Sequence, residues 1–198
     1  MIYLPKAFER YLSALRLYVQ MSVLNGGGVK ELSQLKKISL AEAFYYKNER
    51  SPIDIIKLAN SLLGAAVIIL MQKGAQLSVF FSGSGVYLIN RRLYIALLSE
   101  LAVKTKSGGK ITVFAENKNI IIKAARLEPS EVLPRLIKAM KGFYLFERVS
   151  DTLLIIIPAE KTGLAAETVE NEWCYILDRF SPVNIWLLNA KSGDASQY

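Results

Sequence analysis

From Tyr3 to Leu24 the apolar positions Leu4, Phe8, Leu12, Leu15, Val19 and Val23 recur at steps of three and four. That spacing gathers side chains on one face of a helix. Asn25-Gly26-Gly27-Gly28 ends the run, since glycine frees the backbone to turn. VKELSQLKKISLAEAFYYKNER follows, with Leu32, Leu35, Ile38 and Phe44 at compatible spacing, so the two segments predict an antiparallel helical hairpin. Neither helix can bury its stripe on so thin a partner. A second copy would supply the missing surface in a four-helix bundle, which makes a homodimer through the hairpin the expectation. Ser51-Pro52 then breaks the chain, with Pro52 placed for the first turn of a helix beginning near Ile53.

Beyond that helix, QLSVFFSG and GVYLINR read as two short strands around a Ser-Gly-Ser-Gly hairpin, and Leu93 to Lys104 reads as a helix. KITVFAENKNIIIKAAR gives two strands joined around Glu116-Asn117-Lys118-Asn119, a hairpin signal. Pro129 and Ser130 introduce a helix through about Met140, and GFYLFERV and DTLLIIIPA supply two more strands, closed at Pro158. The succession predicts an α+β chain, an N-terminal antiparallel helical hairpin followed by an α/β sandwich whose mixed sheet carries helices on one face. Residues 1–50 form the hairpin, 51–160 the sandwich and 161–198 a helical extension with a frayed tail, SGDASQY. In the extension a helix through ENEWCYILDRF stops at Ser181-Pro182, ahead of the apolar NIWLL. Its Trp and Tyr residues are expected to cap the core or a subunit interface.

Composition narrows the chemistry. With 198 residues, 52% of them hydrophobic, the chain can bury a sizeable core. It contains no histidine, which removes Ser-His-Asp and Cys-His catalysis, the commonest metal ligand and phosphohistidine chemistry. The single cysteine, Cys174, has no partner for an internal disulfide and reads as a buried structural thiol. Without a leader-like start, the chain is expected to be cytoplasmic. IDIIKLANSLLGAAVIILMQKGA has an uncharged core from Leu58 to Gln72, shorter than the roughly 20 residues that cross a bilayer, so it reads as a core helix and not as a transmembrane segment. The net charge of +8 is dispersed, with no run of four Lys or Arg. A generic basic surface therefore outranks a nucleic-acid or membrane-surface binder. GGGVKELS lacks the preceding strand and the Gly-Lys-Ser/Thr ending of a phosphate loop.

The candidate chemistry lies in LYIALLSELAVKTKSGGKITV, where Glu100 and Lys104 stand four residues apart on one helix face. Taken alone they form a surface pair of the i,i+4 kind.

A helical hairpin, then SPIDIIKLANSLLGAAVIIL, GVYLINRRLYIALLSELAVK, GGKITVFAENKNIIIKA and DTLLIIIPA, resembles the core of sensor histidine kinases from about Phe8 to Pro158. The hairpin is similar to their dimerisation and phosphoacceptor domain. The remainder is similar to the Bergerat-type ATP-binding domain shared with gyrase, the heat-shock-90 chaperones and anti-sigma kinases. In that family the helix after the second strand carries an acid and, four residues on, an asparagine that ligates Mg²⁺. Counting from Asn90 puts Glu100 at the acid and Lys104 at the asparagine, whereas anchoring on Gly108-Gly109 puts Ala96 and Glu100 there. Neither register supplies the asparagine, and an ammonium cannot coordinate a cation. The family's Asp-x-Gly-x-Gly loop is replaced by IIIKAARLEPSEVLPRL, and the phosphoacceptor histidine has no counterpart.

The resemblance therefore implies a degenerate member, Glu100 and Lys104 marking an emptied nucleotide site that their ion pair closes. No cofactor is expected. The implied role is a catalytically inactive dimeric scaffold or regulator in bacterial signal transduction, its partner a response-regulator receiver domain or a genuine kinase. The alternative is a divergent nucleotide-binding protein or kinase that uses Glu100 and Lys104.

Overall fold

The structure, a computed structural model, describes residues 4–26, 28–116 and 118–189; the tail SGDASQY lies outside them. α1 (Leu4–Leu24) and α2 (Val29–Tyr45) form the predicted hairpin. It is strapped by Arg16, which donates to Ser39 Oγ at 3.0 Å and to Glu42 Oε2 at 2.6 Å. Most of each apolar stripe finds cover without a second copy, although Phe8 stays exposed. Leu12, Val19, Val23, Leu32, Leu35, Ile38 and Ala43 are buried within this chain, because α2 packs against α4 (Arg91–Lys104) and against a C-terminal helix, α7 (Pro182–Asn189). What α1 leaves outside is its other side, where Tyr11, Leu17, Tyr18, Met21 and Leu24 are exposed.

Ser51-Pro52 does not open a helix. β1 (Ser51–Asp54) is an extended edge strand, antiparallel to β3 (Val86–Ile89), which in turn pairs with β8 (Glu160–Thr162). At an edge the missing proline N–H costs little. The helix α3 (Ile55–Gln72) starts after Asp54, whose Oδ1 accepts from the Lys57 N–H at 3.0 Å. α3 is long and apolar enough to cross a membrane, yet half of it is buried in the core of this fold.

The main sheet has five strands in the order β2-β4-β5-β7-β6: β2 (Leu77–Gly83), β4 (Thr105–Glu116), β5 (Asn119–Leu127), β6 (Phe143–Glu147) and β7 (Thr152–Pro158). β2 runs parallel to β4 and the other pairs are antiparallel, which makes the sheet mixed, as predicted. The β4–β5 hairpin falls where the sequence places it. The expected β2–β3 hairpin does not form, since its two strands enter different sheets. Gly83 (φ +95°) and Gly85 (φ +128°) carry the chain from one sheet to the other, and a Cβ at Gly83 would collide with the Ala115 carbonyl.

Alternation on the strands builds the core. Ile111, Val113, Ile120, Ile122, Ala124, Ile155 and Ile157 are buried beneath α3, α4 and α5 (Val132–Ala139). The chain closes with α6 (Glu172–Leu177) and α7. Ser181-Pro182 ends the approach to α7 and also starts it: Ser181 Oγ accepts from the Asn184 N–H at 3.2 Å, with proline in the first turn. Tyr175 and Trp186 are buried, as expected of core-capping aromatics, whereas Trp173 is exposed. Cys174 is exposed too, contrary to the buried thiol expected, because α6 turns only Tyr175 inward.

Candidate functional site

The site is organised by α4. Its N-cap is Asn90, whose Oδ1 accepts from the Leu93 N–H at 2.8 Å. The same side chain donates from Nδ2 to the Tyr46 and Glu49 carbonyls at 2.6 and 2.9 Å. One amide thus caps the helix and holds the end of the hairpin to it. Arg92 lies over the Tyr46 ring at 4.4 Å and pairs with Glu49 at 2.6 Å. The Tyr46 hydroxyl is pushed up to about 12 by desolvation and then by hydrogen bonding and charge from Glu9, with Arg92 opposing. Tyr94, one turn into α4, is buried and donates to the Ile55 carbonyl at 3.3 Å. Burial holds its hydroxyl well above the usual phenol range.

Glu100 and Lys104 share a helix but not a partner. Glu100 is 1% exposed. Its Oε2 accepts from Lys36 Nζ at 2.7 Å and from Trp186 Nε1 at 3.1 Å, and its Oε1 from Ser130 Oγ at 2.8 Å. The donors come from α2, from α7 and from the turn before α5, where Ser130 Oγ also accepts from the Val132 and Leu133 N–H groups. Lys36 additionally lies 5.4 Å from the Trp186 ring centre. Lys104 ends α4, where a cation complements the helix dipole, and faces Glu128 at 4.0 Å. The ion pair expected between Glu100 and Lys104 is thus replaced by two pairs reaching in different directions. Ala96, the other position the glycine-anchored register selects, is buried as well.

Lys36, Ser130 and Trp186 escape a reading based on Glu100 alone. Lys36 had a signal: on a helical wheel it falls inside the arc defined by Leu32, Leu35, Ser39 and Ala43. A lysine there needs a buried counter-charge or a route to water. Trp186 and Ser130 become partners only once the sheet brings distant segments together.

No protein-family model matches the chain, and no curated protein does. Among solved structures, the chain is similar to the cytoplasmic segment of the histidine kinase QseC (14% identity, TM-score 0.42, covering 74% of this chain and 87% of that one). It is also similar to the histidine kinase AdeS of Acinetobacter baumannii (13% identity, TM-score 0.44, covering 78% and 97%). A third likeness is to the mycobacterial sensor histidine kinase MprB (11% identity, TM-score 0.37, covering 57% and 99%). At these overlaps the likeness carries nothing about chemistry.

Proposed function

We propose that this chain is a catalytically inactive, histidine-kinase-like scaffold that regulates signal transduction by protein contact, dimeric through the outer face of α1. The observation that supports it is the engagement of Glu100. The acid on the helix that, in the resembling family, would face a nucleotide's metal is buried and bound by donors from three other segments. To reach a cation, its Oε2 would have to give up an ammonium 2.7 Å away, and an ammonium in that place repels a cation. The exposed Tyr11, Leu17, Tyr18, Met21 and Leu24 give the hairpin a surface for a second copy. A receiver domain or an active kinase is the partner this reading assigns.

Titration calorimetry of the purified protein with a non-hydrolysable ATP analogue, with and without Mg²⁺, tests the inactive reading. No heat is expected. Micromolar binding weakened by Glu100→Gln or Lys104→Ala would support the alternative, a nucleotide-binding protein that uses those two residues.

A further inference from the structure

β6, Phe143-Tyr144-Leu145-Phe146-Glu147, is the outermost strand of the main sheet. Its free edge carries unpaired backbone donors and acceptors, which natural edges usually blunt with lysine, proline or a bulge. β6 has none of these within its span. Both of its faces are apolar as well. Tyr144 and Phe146 overhang an apolar cavity of about 260 Å³ floored by Leu133, Ile137 and Leu153, and they remain 46% and 52% exposed because the helical layer stops short of them. Phe143 and Leu145, on the opposite face, are 52% and 61% exposed.

We infer that β6 joins a second copy of this chain edge to edge, antiparallel across a two-fold axis at Tyr144. The argument is self-complementarity. In such a pair, opposite residues share a face of the sheet, so a centre at Tyr144 sets Phe143 against the partner's Leu145, and Tyr144 against the partner's Tyr144 over the mouths of the two cavities. The same two-fold brings the start of one strand to the end of the other, so Lys141, exposed in the left-handed turn before the strand (φ +58°), lies at the same end as the exposed Glu147 of the second copy, within reach of its long side chain, once at each end. Shifting the centre by two residues to Phe146 sets Leu145 against a glutamate and Tyr144 against the partner's Arg148. The charges therefore select the Tyr144 register. A five-residue strand pair buries less than the roughly 1,200 Å² of a stable interface, so the association is weak and concentration-dependent.

The proposal stands apart from the α1 dimer. Where both operate, two different two-fold interfaces on one chain generate an assembly larger than a pair, an open row unless the two axes intersect and close it.

Sedimentation velocity of the full chain over a concentration series up to several hundred micromolar, at low salt, tests it. Lys141→Glu and Glu147→Lys, both at exposed sites, are each expected to weaken the β6 association at least tenfold. An equimolar mixture of the two single variants, and the double variant alone, restore it, because each again sets opposite charges across the axis. Single variants that associate like the parent, or a mixture that fails to recover, overturn the proposal. Leu17→Glu, on the outer face of α1, separates the two readings. It removes the α1 contact while leaving the charge-dependent step in place, and loss of that step together with the α1 contact would also refute the β6 assignment.

Discussion

Glu100 takes its ion pair from Lys36, a residue 64 positions earlier in the chain, at 2.7 Å between Nζ and Oε2. The pair fastens the hairpin to the central helix, and it is buried on the carboxylate side while the lysine side chain stays 21% exposed. That asymmetry makes the two halves unequal. Lys36→Met leaves the buried carboxylate its Trp186 and Ser130 donors but no counter-charge, and is expected to cost about 3 kcal/mol. Glu100→Gln keeps one acceptor oxygen, enough for Trp186 but not also for Ser130, and leaves Lys36 a path to water, so it is expected to cost about 1–2 kcal/mol. The double variant should recover part of the loss, with a coupling of about 1–3 kcal/mol in urea unfolding. A Lys36→Met protein as stable as the parent would refute the pairing.

Asn90 separates two roles in one side chain. Aspartate would keep the cap on the Leu93 N–H but set a carboxylate against the Tyr46 and Glu49 carbonyls, where the amide now donates. Asn90→Asp is therefore expected to destabilise by about as much as Asn90→Ala, roughly 2 kcal/mol, although aspartate caps helices as well as asparagine does. If Asp were tolerated and Ala were not, the cap alone would matter and the tie to the hairpin would carry no weight.

The same residue shows what the sequence makes legible. An asparagine ahead of an apolar helix has the chemistry of a cap, and Asn90 caps α4 in the structure, but its two donated bonds depend on carbonyls more than forty residues away. Strand and helix identities follow the same rule. The β-branched runs of β4, β5 and β7 and the period of α1 and α2 can be read locally, and they hold. Pairing is not local: Ser82-Gly83-Ser84-Gly85 has the chemistry of a hairpin turn, but β2 lies beside β4, in a sheet that does not contain β3. Pro52 and Cys174 fail for a related reason. Helix start or edge strand, buried or exposed, each is decided by what packs against the segment. Lys36 was legible as an anomaly on an apolar arc, whereas its partner was not.

The outer face of α1 predicts a measurable change in association. Tyr18, 72% exposed, and Leu17, 61% exposed, point away from the stripe that α2 covers. Replacing them with lysine and glutamate is expected to leave the helix content by circular dichroism unchanged and to halve the mass of the dilute protein in light scattering. An unchanged mass would mean that α1 is not the dimer surface, and an unfolded variant would mean that the outer face is packed within the chain after all.

Tyr94 sets the alkaline limit. The folded chain holds its hydroxyl protonated well above the ordinary phenol range because the ring is buried, whereas the unfolded chain releases that proton near pH 10. The stability that depends on a neutral Tyr94 is therefore complete below about pH 10 and is lost as pH rises toward the folded value, at about 1.4 kcal/mol per pH unit. Tyr46, raised to about 12, acts in the same direction between about pH 10 and 12, more weakly because it lies near the surface. Tyr94→Phe also loses the 3.3 Å bond to the Ile55 carbonyl, a cost of about 1 kcal/mol that does not vary with pH. Urea unfolding at intervals from pH 8 to pH 11 separates the two effects. The variant should start lower and fall less steeply, so that the two curves converge with rising pH. Parallel curves would show that Tyr94 ionises in the folded protein as readily as in the unfolded chain, and that water reaches the buried first turn of α4.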